Sequence, residues 1–193
     1  MRRSVTSQYF LAVAIAVLFP PAIHAHAAQD KKIDIEIQVD GDEVTVDVNC
    51  FVGATPQEAW SVMTDYGHAT RFISNLERST VLSRTNETVL VSQKGTMGWG
   101  PFSVTLESVT EIRLTPFEKM QSRMISGNMK KYNAVTRLIP EGTGTRIVYH
   151  VVSVPDVWIP PLIGRVLVEH ETRERFRQLL DEILRRKALS GTR

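Results

Sequence analysis

The sequence predicts an α+β domain in which a curved antiparallel sheet of about seven strands is closed by one long C-terminal helix, with two short helices after the first strand. Three observations carry that prediction. Residues 43–52, and again segments from about 77 to 153, alternate apolar and polar side chains with period two, as half-buried strands require. Short breaks rich in Gly, Asn and Pro separate most of these segments, so successive strands are expected as antiparallel neighbours. From Pro160 to Lys187 the spacing changes to three and four residues, the period of an amphipathic helix.

The chain opens with Arg2 and Arg3, an apolar run from Tyr9 to Leu18, then Phe19-Pro20-Pro21 and Ala25-His26-Ala27. That is a basic n-region, an h-region and a small-x-small cleavage site. Cleavage is expected after Ala27, with export of the remainder to the periplasm or the medium. An uncleaved anchor is the alternative. Against it stand Pro20-Pro21, which break a continuous helix, and an apolar run shorter than the roughly 20 residues of a membrane span.

Removal of those 27 residues leaves 166 of the 193, enough for one domain with a substantial core. The formal charge falls from +2 to 0, because Arg2 and Arg3 leave and no acidic residue leaves with them. A neutral surface gives no general electrostatic reason to bind nucleic acid. The single cysteine, Cys50, excludes an internal disulfide. It shares a strand face with Val44, Val46, Val48 and Val52 and is expected to be a buried small hydrophobe.

Residues 28–42 are polar, with an alternation at Ile33, Ile35, Ile37 and Val39, and read as an N-terminal arm or an extra strand. Asp40-Gly41-Asp42 would let it pair with the strand at 43–52 as a hairpin. Thr55 then serves as an N-cap, with Pro56 at the first helical position and Glu58 three residues after the cap, and the helix should stop near Asp65-Tyr66-Gly67. A second helical turn is expected over His68 to Ile73. Six strands follow near 77–84, 87–96, 102–113, 118–126, 130–139 and 144–153. The ligand-binding domain is thus expected over 43–188, with a disordered tail at 189–193.

The order strand, two short helices, six strands and long helix resembles the START-like (SRPBCC) superfamily, the polyketide cyclase/dehydrase and lipid-transport domains of helix-grip architecture. The residues that carry the resemblance are Ala59-Trp60-Ser61-Val62-Met63-Thr64-Asp65-Tyr66, the turn Ser126-Gly127-Asn128-Met129-Lys130-Lys131, Gly144-Thr145-Arg146-Ile147 and Ile163-Gly164-Arg165-Val166-Leu167. The turn and the Gly-Arg-Val element look most like the coenzyme Q-binding branch, which implies a quinone or related polyprenyl lipid as ligand. Thr136 stands where that branch tends to place Trp.

Strand parity sets Val104 and Leu106 with Ser108 and Thr110 on one face, Met120 and Met124 with Ser122 on another, then Tyr132 and Thr136 with Ala134, and Tyr149 with Ile147 and Val151. These residues either fill a core or, because small Ser, Ala and Thr leave room among the apolar ones, line a cavity for a hydrophobic ligand. Leu162 and Val166 on the closing helix would face them. His170 and Arg173 fall inside the helix's apolar stripe and would orient an amphiphile, the alternative being a backbone hydrogen bond for His170 and a carboxylate partner for Arg173. Trp158, in a Pro-rich loop, and Trp99, at a hairpin tip, are candidate gates. Trp158 also offers a transient membrane contact.

Two function classes follow. The leading one is an exported carrier of a lipid, polyprenyl quinone or polycyclic compound. The rival is a cyclase/aromatase-type enzyme with His170, Tyr149 and Arg123 as acid–base groups. Neither a metal site nor a cofactor motif is visible, and oligomeric state is not encoded in any pattern found.

Overall fold

The computed structural model describes residues 32–99, 102–156 and 161–191, and the side chains of 99, 102 and 161–163 fall outside that description. The expected signal at 1–27 lies outside the described residues. The chain forms β1 (Ile33–Asp40), β2 (Glu43–Val52), α1 (Pro56–Met63), a 3₁₀ turn (Tyr66–Arg71), β3 (Leu76–Arg84), β4 (Thr88–Trp99), β5 (Phe102–Thr115), β6 (Lys119–Gly127), β7 (Met129–Glu141), β8 (Gly144–Pro155) and α2 (Pro161–Ser190). All eight strands join one sheet in the order β1-β2-β8-β7-β6-β5-β4-β3, every pair antiparallel. The sheet curves around α2, a helix-grip architecture.

The strand count is eight rather than about seven because residues 33–40 form a full edge strand. They pair with β2 in unbroken register from Asp40–Glu43 to Ile33–Cys50. Alternation explains it: Ile33 and Ile37 are buried while Glu36 and Gln38 stay in solvent. The tight turn at Gly41-Asp42 makes the hairpin local, so little loop entropy opposes it.

The capping box at α1 forms as the sequence predicts, Glu58 N–H donating to Thr55 Oγ1 at 3.2 Å and Thr55 N–H to Glu58 Oε2 at 2.7 Å. α1 and the 3₁₀ turn then carry the chain from β2 across one end of the sheet to the far edge strand β3. That end is the packed core. Val48, Val62, Val89, Val91, Ile147, Leu180 and Ile183 are each under 2% exposed there. Cys50 is buried with them, and burial pushes its thiol up to about 12. α2 runs back over the concave face and extends to Ser190, two residues into the expected tail.

Candidate functional site

The sheet and α2 diverge away from the packed end and enclose a cavity of about 390 Å³, within the range of about 300–1,000 Å³ that holds small organic ligands. Its inner end is lined by Val62, Thr110, Ile112, Met120, Thr136 and Val151, all buried. Its other end is lined by half-buried Met97, Val104, Met129 and Pro155, which marks the mouth. Apolar side chains dominate the wall, with Ser108, Ser122 and Ser153 supplying the room that the alternation of small and large residues predicts.

Of the residues expected to face a ligand, Val104, Leu106, Met120, Tyr132, Thr136 and Tyr149 line this cavity. Met124 does not, although it shares inward parity with Met120 and Ser122. Its sulfur folds back against the Gly127 turn, where it would lie 3.0 Å from a Cβ on that glycine. Trp158 and the side chains of Trp99 and Leu162 lie outside the described residues.

The helix is where expectation and structure part. Val166 is 55% exposed, His170 is exposed, and Arg173 donates from Nη1 to the Ile33 carbonyl at 2.9 Å and from Nη2 to Glu169 Oε1 at 2.9 Å. None of the three lines the cavity. The face that meets the sheet is turned from the expected one: Leu167, Val168, Glu171, Thr172, Arg175, Phe176 and Leu179 are on it. The apolar stripe expected from spacing ran through Leu162, Ile163, Val166, Leu167, Phe176, Leu179, Leu180, Ile183 and Leu184; of these Leu167, Phe176 and Leu179 do line the cavity and Leu180 and Ile183 are buried, so the departure is at Val166, His170 and Arg173. Arg123 is likewise on the outer surface, bonded to Glu111 at 3.0 Å. Only Tyr149 of the three acid–base candidates reaches the interior.

The polar groups inside are few and mostly held. Tyr149 Oη lies 3.5 Å from Tyr132 Oη, and its ring packs at 5.4 Å against Phe176. Burial and the neighbouring Tyr132 keep the Tyr149 phenol well above its ordinary pKa, so it stays a neutral donor. Burial does the same to Tyr66, whose hydroxyl points at the Met120 sulfur, 3.9 Å away. On α2 Glu171 accepts from Asn75 Nδ2 at 2.7 Å and from the Gly98 N–H at 3.4 Å. The carboxylate fixes the amide's orientation, because only the NH₂ end can donate to it. Asn75 Oδ1 is then buried without a hydrogen-bond partner. Its backbone approaches β4 so closely that a side chain at Gly95 would meet the Asn75 carbonyl at 2.7 Å.

A second cleft, of about 370 Å³, lies between the 3₁₀ turn and the end of α2, lined by Asp65, His68, Arg71, Glu182, Arg185 and Arg186. Both of its carboxylates are taken up by basic neighbours, through the His68–Asp65, Arg186–Asp65, Arg185–Glu182 and Arg186–Glu182 contacts. It is a clamp between elements. Among the described residues no group of His, Cys, Asp or Glu could hold a metal ion, and no helix is long and apolar enough to cross a membrane.

Solved structures share this architecture at low sequence identity. The Zhui aromatase/cyclase from Streptomyces sp. R1128 superposes with a TM-score of 0.65 at 14% identity, over 75% of this chain and 95% of that one. A STAR-related lipid transfer protein from Xanthomonas axonopodis gives 0.65 at 14%, over 78% and 93%. A protein from Thermus thermophilus gives 0.62 at 16%, over 72% and 97%. At such identities the likeness establishes the fold alone. No curated protein matches the chain. Residues 52–179, well over half of the sequence and including nearly all of the cavity wall, match the family described as polyketide cyclase / dehydrase and lipid transport. The chain therefore belongs to the polyketide cyclase / dehydrase and lipid transport family.

Proposed function

We propose that this protein is an exported carrier that holds a hydrophobic small molecule, such as a polyprenyl quinone, a fatty acyl compound or a polycyclic product, between its sheet and α2. The observation that carries this reading is the cavity itself: about 390 Å³, apolar along most of its wall and lined at its inner end by buried residues. Each 100 Å² of apolar ligand surface removed from water there contributes about 2.5 kcal/mol. The proposed export rests on the basic, apolar and Ala-His-Ala pattern of residues 1–27.

Structural relatives include both an aromatase/cyclase and a lipid transfer protein, so the fold does not choose between catalysis and carriage. The placement of the acid–base candidates favours carriage. His170 and Arg123 are on the outer surface, Tyr149 is a neutral phenol beside the Tyr132 hydroxyl, and the Glu171 carboxylate on the wall already accepts from Asn75 and Gly98. A general base would need a group able to accept a proton within hydrogen-bond reach of the substrate.

The test is titration with an apolar fluorescent probe on the wild type and on Ser122→Trp, whose indole would project from β6 into the cavity. Saturable binding by the wild type, weakened at least about tenfold by an indole that fills the space, supports the reading. Absence of saturable binding to the wild type sinks it. Solvent extraction of the native protein followed by lipid mass spectrometry identifies the guest, and turnover of an added poly-β-keto compound would transfer the assignment to the cyclase class.

A further inference from the structure

The arginines of α2 are not equivalent. Arg173, Arg177, Arg185 and Arg186 each have a carboxylate partner at 2.5–3.0 Å. Arg165 and Arg175 have none among the described residues, and of these two only Arg175 lines the cavity. Its natural partner would be Glu171, one turn earlier in the orientation that favours an i, i+4 pair. Glu171 is instead drawn sideways to Asn75 and Gly98. A guanidinium at the wall of an apolar cavity is thereby left without an ion pair among the described residues.

The same part of the cavity holds the Tyr132–Tyr149 hydroxyl pair. Two phenols carry two O–H donors, and a bond between them uses only one. The remaining donor is available to a ligand oxygen. Arg175 directly precedes Phe176, whose ring packs at 5.4 Å against Tyr149, so the cation and the hydroxyl pair line one stretch of the cavity. Arginine matches a carboxylate by two parallel N–H donors, which a neutral carbonyl cannot exploit equally.

We propose that the cavity selects an apolar molecule with one terminal carboxylate, seated with its tail among the inner apolar residues and its charge against Arg175 and the Tyr132–Tyr149 hydroxyls. This deepens, and rests on, the reading of the cavity as a hydrophobic-ligand site. Arg175 is exposed, so solvent screening limits the preference to about fivefold over an uncharged analogue of the same shape.

The experiment compares cis-parinaric acid with its methyl ester, two fluorescent probes with one tail and different charge, on the full exported chain at neutral pH. The wild type is expected to bind the acid about fivefold more tightly than the ester. Arg175→Met should equalise the two while leaving ester affinity within about twofold, since the replacement retains an apolar stem. Arg175→Lys, which keeps the charge, should retain part of the preference, and Arg165→Met all of it. A preference that survives Arg175→Met, or a wild type that binds the ester saturably with no preference for the acid, overturns the anchor and leaves the cavity reading intact. Failure of both probes to bind the wild type overturns the two together.

Discussion

Glu182 is where the grip of α2 on the closed end can be measured. It is 8% exposed and accepts two bonds from Arg185 at 2.7 Å and one from Arg186 at 2.6 Å. Arg186 continues to Asp65 at 2.9 Å and lies 5.5 Å from the Phe72 ring, which itself lines the cavity. The Arg185 bonds first, and those of Arg186 after them, outweigh burial and hold the carboxyl down to about 2 from an ordinary 4.5. At about 1.4 kcal/mol per pKa unit that difference corresponds to about 3 kcal/mol. Arg185 is 60% exposed, and screening by water reduces the expected contribution to about 2 kcal/mol. Because folding lowers this pKa, the stabilisation is complete above about pH 4.5 and is lost as the pH falls towards 2, with about two fifths left at pH 3. Urea unfolding of the wild type and Glu182→Gln from pH 7 to pH 3 reads it directly. The gap between them should be about 2 kcal/mol at pH 7 and below about 1 at pH 3. A gap under about 0.5 kcal/mol at pH 7, or one that does not change with pH, refutes the reasoning.

Two further outcomes are expected. The Cys50 thiol, buried and held near 12, should resist a thiol-specific alkylating reagent at pH 8 in the folded protein and react fully once urea has unfolded it; rapid labelling of the native state would contradict its place in the core. Gly127 has φ +147, and a Cβ there would meet the Glu107 carbonyl at 2.2 Å, so Gly127→Ala should cost about 2–4 kcal/mol in urea unfolding, and a cost under about 1 kcal/mol would show that the β6–β7 turn relaxes freely.

Most of the fold was legible because it is written in local pattern. Period two located the strands of the meander to within a few residues, and Thr55-Pro56-Gln57-Glu58 fixed the start of α1 through a cap that depends only on near neighbours. The edge strand β1 was harder. Its polar residues look like an arm until pairing with β2 gives its isoleucines something to bury against. Parity also placed most strand residues of the cavity wall, since alternate side chains must share a face, and it failed at Met124, where the β5–β6 register slips by one residue and the flexible side chain lies against the Gly127 turn.

The helix residues were less legible, for a physical reason. A stripe on a long helix fixes its apolar face only to within a residue or so of rotation, and a step of one residue is 100°. His170 and Arg173 stood out as polar residues inside such a stripe, yet a rotation of that size puts them outside and brings Glu171 and Arg175 in. Charge spacing misled in the same way. Glu171 and Arg175 have the i, i+4 separation of a solvated ion pair. What separates them is Asn75, 96 positions away in sequence, whose amide claims the carboxylate. The polarity of the cavity wall is therefore set by a contact between the loop before β3 and α2, and Asn75 itself is held by the Thr96 N–H, which donates to its carbonyl at 2.9 Å, an approach that the lack of a side chain at Gly95 permits. A sequence read one element at a time contains each of these residues but not the competition among them, and it is that competition which leaves Arg175 uncompensated among the described residues.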